Sequence, residues 1–257
     1  MIKFYKYVVY ITLILLSFYM TDEVSKIILN KNNIVKEIKA VGKDYEEKEV
    51  NAIIDNENNT IIPGKYGKKI NVEESYLNMH DFKAFNVNYF VYKYIKPKVS
   101  LENEIDKYII SGNKQNRKVS IIVIDNNNIV NYLTNKKIKF DIIANKDTNI
   151  QDNFEYINGS YDNKSFNYVQ SKLKNNLCIK DYSNIKLCLK NRSLIFDPQI
   201  ILNQDNIQSS LNKINCGSII LISTEIDLNY IDILLKNIEY KDLKIVNLSE
   251  LVNEKIS

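Results

Sequence analysis

Short apolar runs place the strongest constraint on the fold of this chain. From residue 119 onward they recur at intervals, at residues 121–124, 138–143, 194–196, 219–222 and 243–246. Runs of this length without polar alternation are typical of strands buried on both faces, as in a parallel sheet or barrel. Helix-like segments separate several of them, for example residues 165–173 and 228–238. The order strand, helix, strand predicts an α/β fold.

The histidine content limits the possible chemistry. His80 is the only histidine among 257 residues. Sites with two histidine ligands, or a histidine base beside a second histidine, are excluded unless another subunit contributes. A Ser-His-Asp triad would need His80, which lies in the polar stretch 78–81 with no nucleophile elbow nearby. We predict that His80 is a surface or hydrogen-bonded structural residue.

The charge balance argues against a nucleic-acid partner. The chain has 35 Lys and Arg against 31 Asp and Glu, a net charge of +4, and its lysines are scattered. Nucleic-acid binding needs a concentrated basic surface. With 45% hydrophobic and 26% charged residues, the composition is that of a folded globular protein.

The amino terminus resembles a membrane anchor in its charge pattern. Lys3 and Lys6 precede the apolar run 7–21, and Asp22 and Glu23 follow it. Tyrosines suited to a membrane interface occur in and beside the run: Tyr5, Tyr7, Tyr10 and Tyr19. As a helix the run would extend about 22 Å, which is short of the ~30 Å hydrocarbon core. The charge asymmetry predicts a single-pass anchor with the bulk of the chain outside the cytoplasm.

A cleaved signal peptide is the competing interpretation of this segment. Residues 18–20 offer no small-residue cleavage pattern, and no lipobox cysteine follows, so we favour the uncleaved anchor. A buried core helix fits the charge asymmetry less well. Both membrane interpretations send the folded part out of the cytoplasm.

The cysteines carry no metal or redox motif. Cys178, Cys188 and Cys216 show no C-x-x-C spacing, and each lies in or beside an apolar run. Buried structural thiols are the favoured interpretation. A disulfide between Cys178 and Cys188 is the alternative if the compartment is oxidising.

The chain divides into four predicted segments. Residues 1–21 form the anchor, 22–60 a juxtamembrane helix or stalk, 61–118 a lead-in segment packing on the barrel, and 119–257 the α/β domain. The lead-in holds a turn at Pro63 and Gly64 and an aromatic stretch at residues 82–94. Aromatic stripes can bind sugar faces, but core packing is the favoured interpretation here.

Several motifs resemble the NodB-homology family of polysaccharide deacetylases. They read VSIIVID (119–125), IKFDIIA (138–144), GSIILIS (217–223) and IDILLKNIEYKDLKIVNLSEL (231–251). Upstream, residues 62–64, 75–79 and 109–113 resemble the lead-in of anchored deacetylase-like proteins from low-GC Gram-positive bacteria. The resemblance implies a distorted (β/α) barrel, preceded by a transmembrane helix. It also implies an enzyme that uses a divalent metal to deacetylate amino sugars of the cell wall or of exopolysaccharides.

The chain departs from this family at the positions that carry its chemistry. The resemblance places a base Asp at Ile124 and a metal Asp at Asp125. It places two metal histidines at Gly159 and Asn163, and a late histidine at Ser223. The family's R-x-P-Y-G loop has no counterpart. Asp125 alone is retained, and one carboxylate does not hold Zn²⁺ in the usual three-ligand arrangement.

Three functions follow as hypotheses. The first is a pseudoenzyme that binds or scaffolds at cell-wall glycan. The second is an active deacetylase or esterase with a metal site rewired around Asp125. The third is a structural partner of a membrane protein, docking through the aromatics of residues 82–94. We expect no cofactor, with Zn²⁺ only in the rewired case, and treat Asp147 and Asp162 as solvated rather than as oxygen ligands beside Asp125.

Overall fold

The computed structural model describes residues 2–181 and 183–255. Within its first helix the side chains of residues 2–6, 8, 9, 22 and 25 lie outside the description, and with them Lys3, Tyr5, Lys6 and Asp22 of the predicted anchor. The chain divides into two compact units. One unit comprises residues 1–48 and 67–95, and the other residues 49–66 and 96–257.

Helices are distributed along the whole described chain. Their bounds are α1 (Ile2–Lys31), α2 (Asn33–Gly42), α3 (Val72–His80), α4 (Asn127–Asn135), α5 (Asn163–Lys172), α6 (Ile185–Lys190), α7 (Ile207–Lys213), α8 (Leu228–Tyr240) and α9 (Leu248–Leu251).

Strands begin only after residue 52. Their bounds are β1 (Ile53–Asp55), β2 (Thr60–Ile62), β3 (Gly67–Ile70), β4 (Tyr92–Ile95), β5 (Tyr108–Ile109), β6 (Lys118–Ile124), β7 (Asp141–Ala144), β8 (Glu155–Asn158), β9 (Leu177–Ile179), β10 (Leu194–Phe196), β11 (Ile200–Leu202), β12 (Ile219–Ile222) and β13 (Lys244–Ile245).

The larger unit is built on one curled sheet. Its described strands follow the order β1-β2-β5-β10-β9-β8-β7-β6-β12-β11, and β13 pairs with the beginning of β6. The pairings are parallel except that between β1 and β2. Each apolar run named in the sequence overlaps a strand, although β7 starts three residues after the beginning of the run at 138–143. The predicted α/β architecture is therefore confirmed.

Burial on both faces explains why these strands lack polar alternation. Every residue from Val119 to Val123 is buried. Ile121 and Val123 join an apolar cluster that includes residues of α4 and α8. Ile122 joins a second cluster, which includes Leu248 and Leu251 of α9. A strand between two apolar layers needs apolar side chains at every position.

The predicted lead-in contributes strands to this sheet. β2 and β5 pair in parallel, and β5 pairs with β10. The turn at Gly64 is fastened to the carboxyl-terminal segment, because the Gly64 N–H donates to the buried Glu254 carboxylate at 2.7 Å. The side-chain amide of Asn113 donates to the Pro63 carbonyl at 3.2 Å. The chain passes between the two compact units after residues 48, 66 and 95.

The smaller unit has its own small core. Ile38 of α2, Met79 of α3, Ile70 of β3 and Phe90 form a buried cluster. Residues 22–48 accordingly include a helix that packs through its apolar face. The aromatic stretch divides between core and surface: Phe90 is buried, whereas Phe82 is 64% exposed. Core packing therefore accounts for only part of that stretch.

Helix α1 covers the predicted anchor. Its apolar side chains surround the axis instead of forming one stripe, and those described between Tyr7 and Met20 are exposed. Among the residues that the structure describes, no helix combines the length and the apolar character that crossing a membrane requires.

Two of the cysteines form a disulfide. Cys178 of β9 is bonded to Cys188 of α6, with Cα atoms 6.0 Å apart. Both are fully buried, in a cluster with Phe166 and Ile195. The prediction that both cysteines are buried is confirmed. The favoured free-thiol interpretation is wrong for this pair, and the disulfide alternative is confirmed. The sequence did not decide between free thiols and a disulfide, because both suit a buried apolar position. Cys216 is free.

Candidate functional site

The carboxyl edge of the parallel sheet gathers the positions singled out in the sequence. Asp125 directly follows β6, Gly159 follows β8, and Ser223 follows β12. These strands are consecutive or next-but-one in the order β8-β7-β6-β12. Carboxyl ends of parallel strands meet at one edge, which is where α/β folds place their sites. Asn163 is the first residue of α5, on the loop that continues from β8.

An apolar side chain occupies the position of the predicted base. Ile124 ends β6, is 38% exposed, and lies opposite Ile143 of β7 in the strand register. Ile143 in turn lies opposite Ile157 of β8. Aliphatic side chains neither accept a proton nor bind a cation. Ile124 therefore supplies no acid-base group at this position.

Asp125 is exposed, and its charge acts on Tyr156. Burial, supported by the negative charge of Asp125, raises the pKa of the Tyr156 phenol above its usual range, against the effect of the hydrogen bond from Gln151 N–H. The next residue, Asn126, caps α4 and donates through its side-chain amide to the Thr224 carbonyl at 3.2 Å. That bond ties the ends of β6 and β12 together beside Asp125.

Gly159 is enclosed by side chains of the neighbouring strands. A Cβ atom placed on it would lie 2.4 Å from Cγ2 of Ile143, 3.5 Å from the Ala144 carbonyl oxygen and 3.6 Å from Cγ2 of Ile179. Only the first distance is shorter than a van der Waals contact. The following residue, Ser160, is buried, and its hydroxyl has no hydrogen-bond partner among the described protein atoms.

The remaining carboxylates serve local structure. Asp162 caps α5 by accepting from Ser165 N–H at 2.9 Å. Hydrogen bonds from the Ser165 side chain first, and then from the Ser165 N–H, lower the pKa of the Asp162 carboxyl. Asp147 is exposed in the loop after β7. Within the described part of the chain, no three His, Cys, Asp or Glu side chains converge on a point where a metal ion would fit. The residues at this edge do not match the divalent metal that the fold family implies.

One ion pair at the same edge was not predicted from the sequence. Lys180 follows β9 and Asp197 follows β10, and their charged atoms lie 2.6 Å apart, with both side chains about three-quarters buried. The Lys180 ammonium also lies 4.4 Å from the Tyr108 ring centroid. The sequence offered one indication of this pair, namely that each residue directly follows an apolar run.

His80 has a structural environment, as predicted. It ends α3 in the smaller unit and is exposed. Its Nδ1 lies 3.3 Å from the Asp81 carboxylate, and its ring packs edge-on against Tyr76. These contacts orient the ring without placing a nucleophile beside it.

Comparison with known sequences gives one partial match. No family model matches the chain. The uncharacterized protein YlxY of Bacillus subtilis (strain 168) is 33% identical over 94 residues. The match spans 37% of this chain and 29% of that protein.

Comparison with solved structures defines the fold. The wild-type protein BA3943, a CE4 family pseudoenzyme from Bacillus anthracis, aligns with a TM-score of 0.63 and 19% identity over 88% of this chain and 97% of that one. A BA3943 mutant with restored enzymatic activity aligns with a TM-score of 0.62 and 19% identity, over 88% and 100%. The predicted α/β fold of polysaccharide-deacetylase type is confirmed by this likeness.

Proposed function

We propose that this chain is a catalytically inactive, deacetylase-like protein that binds or scaffolds at cell-wall glycan. The observation that carries the proposal is the replacement of reactive groups at the carboxyl edge by Ile124, Gly159 and Ser223. Deacetylation of an amino sugar needs an activated water, a stabilised oxyanion and a protonated leaving amine. A serine hydroxyl does not protonate an amine near neutral pH, and an isoleucine does not activate water.

A polar groove beside the edge supports glycan binding. It lies between α4 and the start of α8, with a volume of about 720 Å³, and its polar lining includes Asn126, Asn128, Asn131, Asn135 and Asn229. Amide side chains both donate and accept, which suits sugar hydroxyls. Tyr132, Ile129 and Leu228 supply apolar surface in the same groove.

The binding proposal is tested with soluble peptidoglycan fragments and calorimetry. Asn131→Ala and Asn135→Ala should each weaken binding severalfold, since each removes hydrogen-bonding groups from the groove. Asn212→Ala, an exposed asparagine on α7, is the matched control and should leave the affinity unchanged. Equal affinities for all four proteins would place any glycan elsewhere.

Inactivity is tested with a fluorogenic acetylated substrate and added Zn²⁺, Mn²⁺ or Co²⁺. The wild type should give no turnover above the Asp125→Ala variant. Turnover that disappears in Asp125→Ala would instead favour a deacetylase rewired around Asp125, our alternative.

We further propose an extracytoplasmic location at the membrane. The buried disulfide supports it, because structural disulfides persist in oxidising compartments. The exposed apolar residues of α1 and the charge pattern around them support attachment through this segment. Protease shaving of intact cells should digest residues 22–257 from outside. Protection of the carboxyl half would contradict the proposed topology.

A second candidate function rests on the surface of the smaller unit. Phe82 and Tyr89 stack with ring centroids 5.2 Å apart, and Tyr94 is 51% exposed. Exposed aromatics are common at protein interfaces. This favours a docking role toward a membrane protein as the alternative. If a Phe82→Ser variant cross-links to membrane proteins as well as the wild type does, this docking role is contradicted.

A further inference from the structure

The packing around Gly159 carries an inference about why the metal position is lost. Of the three atoms nearest to a Cβ placed on Gly159, two stand at ordinary contact distance and one, Cγ2 of Ile143, at 2.4 Å. Carbon atoms repel strongly at that separation, since their optimum is about 3.5–4.0 Å. Gly159 also has no positive φ, so its backbone would accept a side chain. Position 159 is therefore restricted by volume and not by backbone conformation.

Ile143 has little freedom to move away. It is β-branched, and such residues keep a narrow choice of χ1 in strands. It is held in the sheet between Ile124 of β6 and Ile157 of β8, directly opposite both in the register. Moving its Cγ2 methyl out of the way requires a change of χ1, which is restricted for a β-branched residue in a strand.

We propose that Ile143 closes this edge to any side chain at position 159, so that a metal ligand cannot be restored there by substitution of position 159 alone. Core packing then occupies the position of the ligand, and Ile143→Ala is the permissive change. The other positions are open, because Asp125 and Asn163 are exposed.

The steric part is tested without metal by a double-mutant cycle. Gly159→Ala alone should lower the thermal midpoint by several degrees. In the Ile143→Ala background the same substitution should cost clearly less, because the clashing methyl is gone. Ile179→Ala is the matched control background, since Ile179 is a neighbour that does not clash; there the cost of Gly159→Ala should be unchanged.

The ligand part is tested by zinc binding. Gly159→His with Asn163→His should bind Zn²⁺ at least tenfold more weakly than the same pair with Ile143→Ala, as measured by competition with a chromogenic chelator. Equal affinities, or no binding by either folded variant, would overturn the proposal, as would a Gly159→Ala variant as stable as the wild type. Deacetylation by the wild type would refute the proposed function but would leave the stability cycle unaffected.

Discussion

A buried carboxyl group makes the stability of this fold depend on pH. Asp141 begins β7 and is fully buried. Its carboxylate accepts hydrogen bonds from the Ser120 hydroxyl at 2.9 Å, Leu248 N–H at 3.0 Å and the Asn247 amide at 3.1 Å. Glu155 lies opposite it on β8. Burial first, and then the neighbouring Glu155 carboxyl, raise the pKa of Asp141 well above its usual range despite those donors.

The direction of the pH effect follows from this raised pKa. Between the unfolded value, about 3.9, and the folded value, the native protein keeps a proton that the unfolded chain has lost. The free energy of unfolding therefore falls as pH rises through that window, by up to about 1.4 kcal/mol per pH unit. The contribution is fully present below the unfolded pKa and is lost as pH rises through the folded one.

Asp141→Asn removes this titration while keeping the shape of the side chain. An amide has one acceptor oxygen, so the variant should lose one hydrogen bond, worth about 1 kcal/mol. It should be less stable than the wild type at pH 4. It should be at least as stable as the wild type at pH 7. If the folded and unfolded pKa values of Asp141 differ by more than about one pH unit, the wild type loses more free energy of unfolding by pH 7 than the variant loses with its hydrogen bond.

Urea denaturation followed by far-UV circular dichroism between pH 4 and 8 measures both effects. The exposed Asp147→Asn variant is the control and should follow the wild type. A wild-type midpoint that rises from pH 5 to 8, in parallel with that of Asp141→Asn, would refute the argument.

Further predictions concern stability. Ile220→Asp should cost more than about 3 kcal/mol in urea denaturation, because it puts a carboxylate into a fully buried strand position, whereas Ile201→Asp on β11, where Ile201 is 49% exposed, should cost far less. Cys178→Ser should cost about 2–4 kcal/mol, and dithiothreitol should then cause no further shift in the midpoint, because the bond to Cys188 is already absent. Glu254→Ala should cost about 2 kcal/mol or more by the same assay, since two buried N–H donors lose their acceptor.

The sequence predicted local elements well and distant partnerships poorly. The run at 219–222 is a strand, and the segment at 228–238 lies within α8, because burial dictates their side chains residue by residue. The pairing of β5 with β10 was not predictable, since Tyr108 and Ile109 form too short a run to show periodicity. β5 is stabilised by its pairing with a strand that is distant in the sequence.

The candidate site shows the same division. The motifs singled out Asp125, Gly159 and Ser223, and the structure brings them to one edge of the sheet. The contact between Ile143 and Gly159 could not be read from the sequence, because it depends on the register of two adjacent strands. The pair formed by Lys180 and Asp197 depends likewise on strand order.

Zinc binding by the unmodified chain tests most directly whether this edge of the sheet holds a metal ion. Purified wild type and Asp125→Ala are dialysed against micromolar Zn²⁺, and bound zinc is measured by mass spectrometry. We expect both proteins to retain well below one zinc per chain, because no described side chains join Asp125 in a group that could hold the ion. One zinc per wild-type chain that is absent from Asp125→Ala would contradict this expectation.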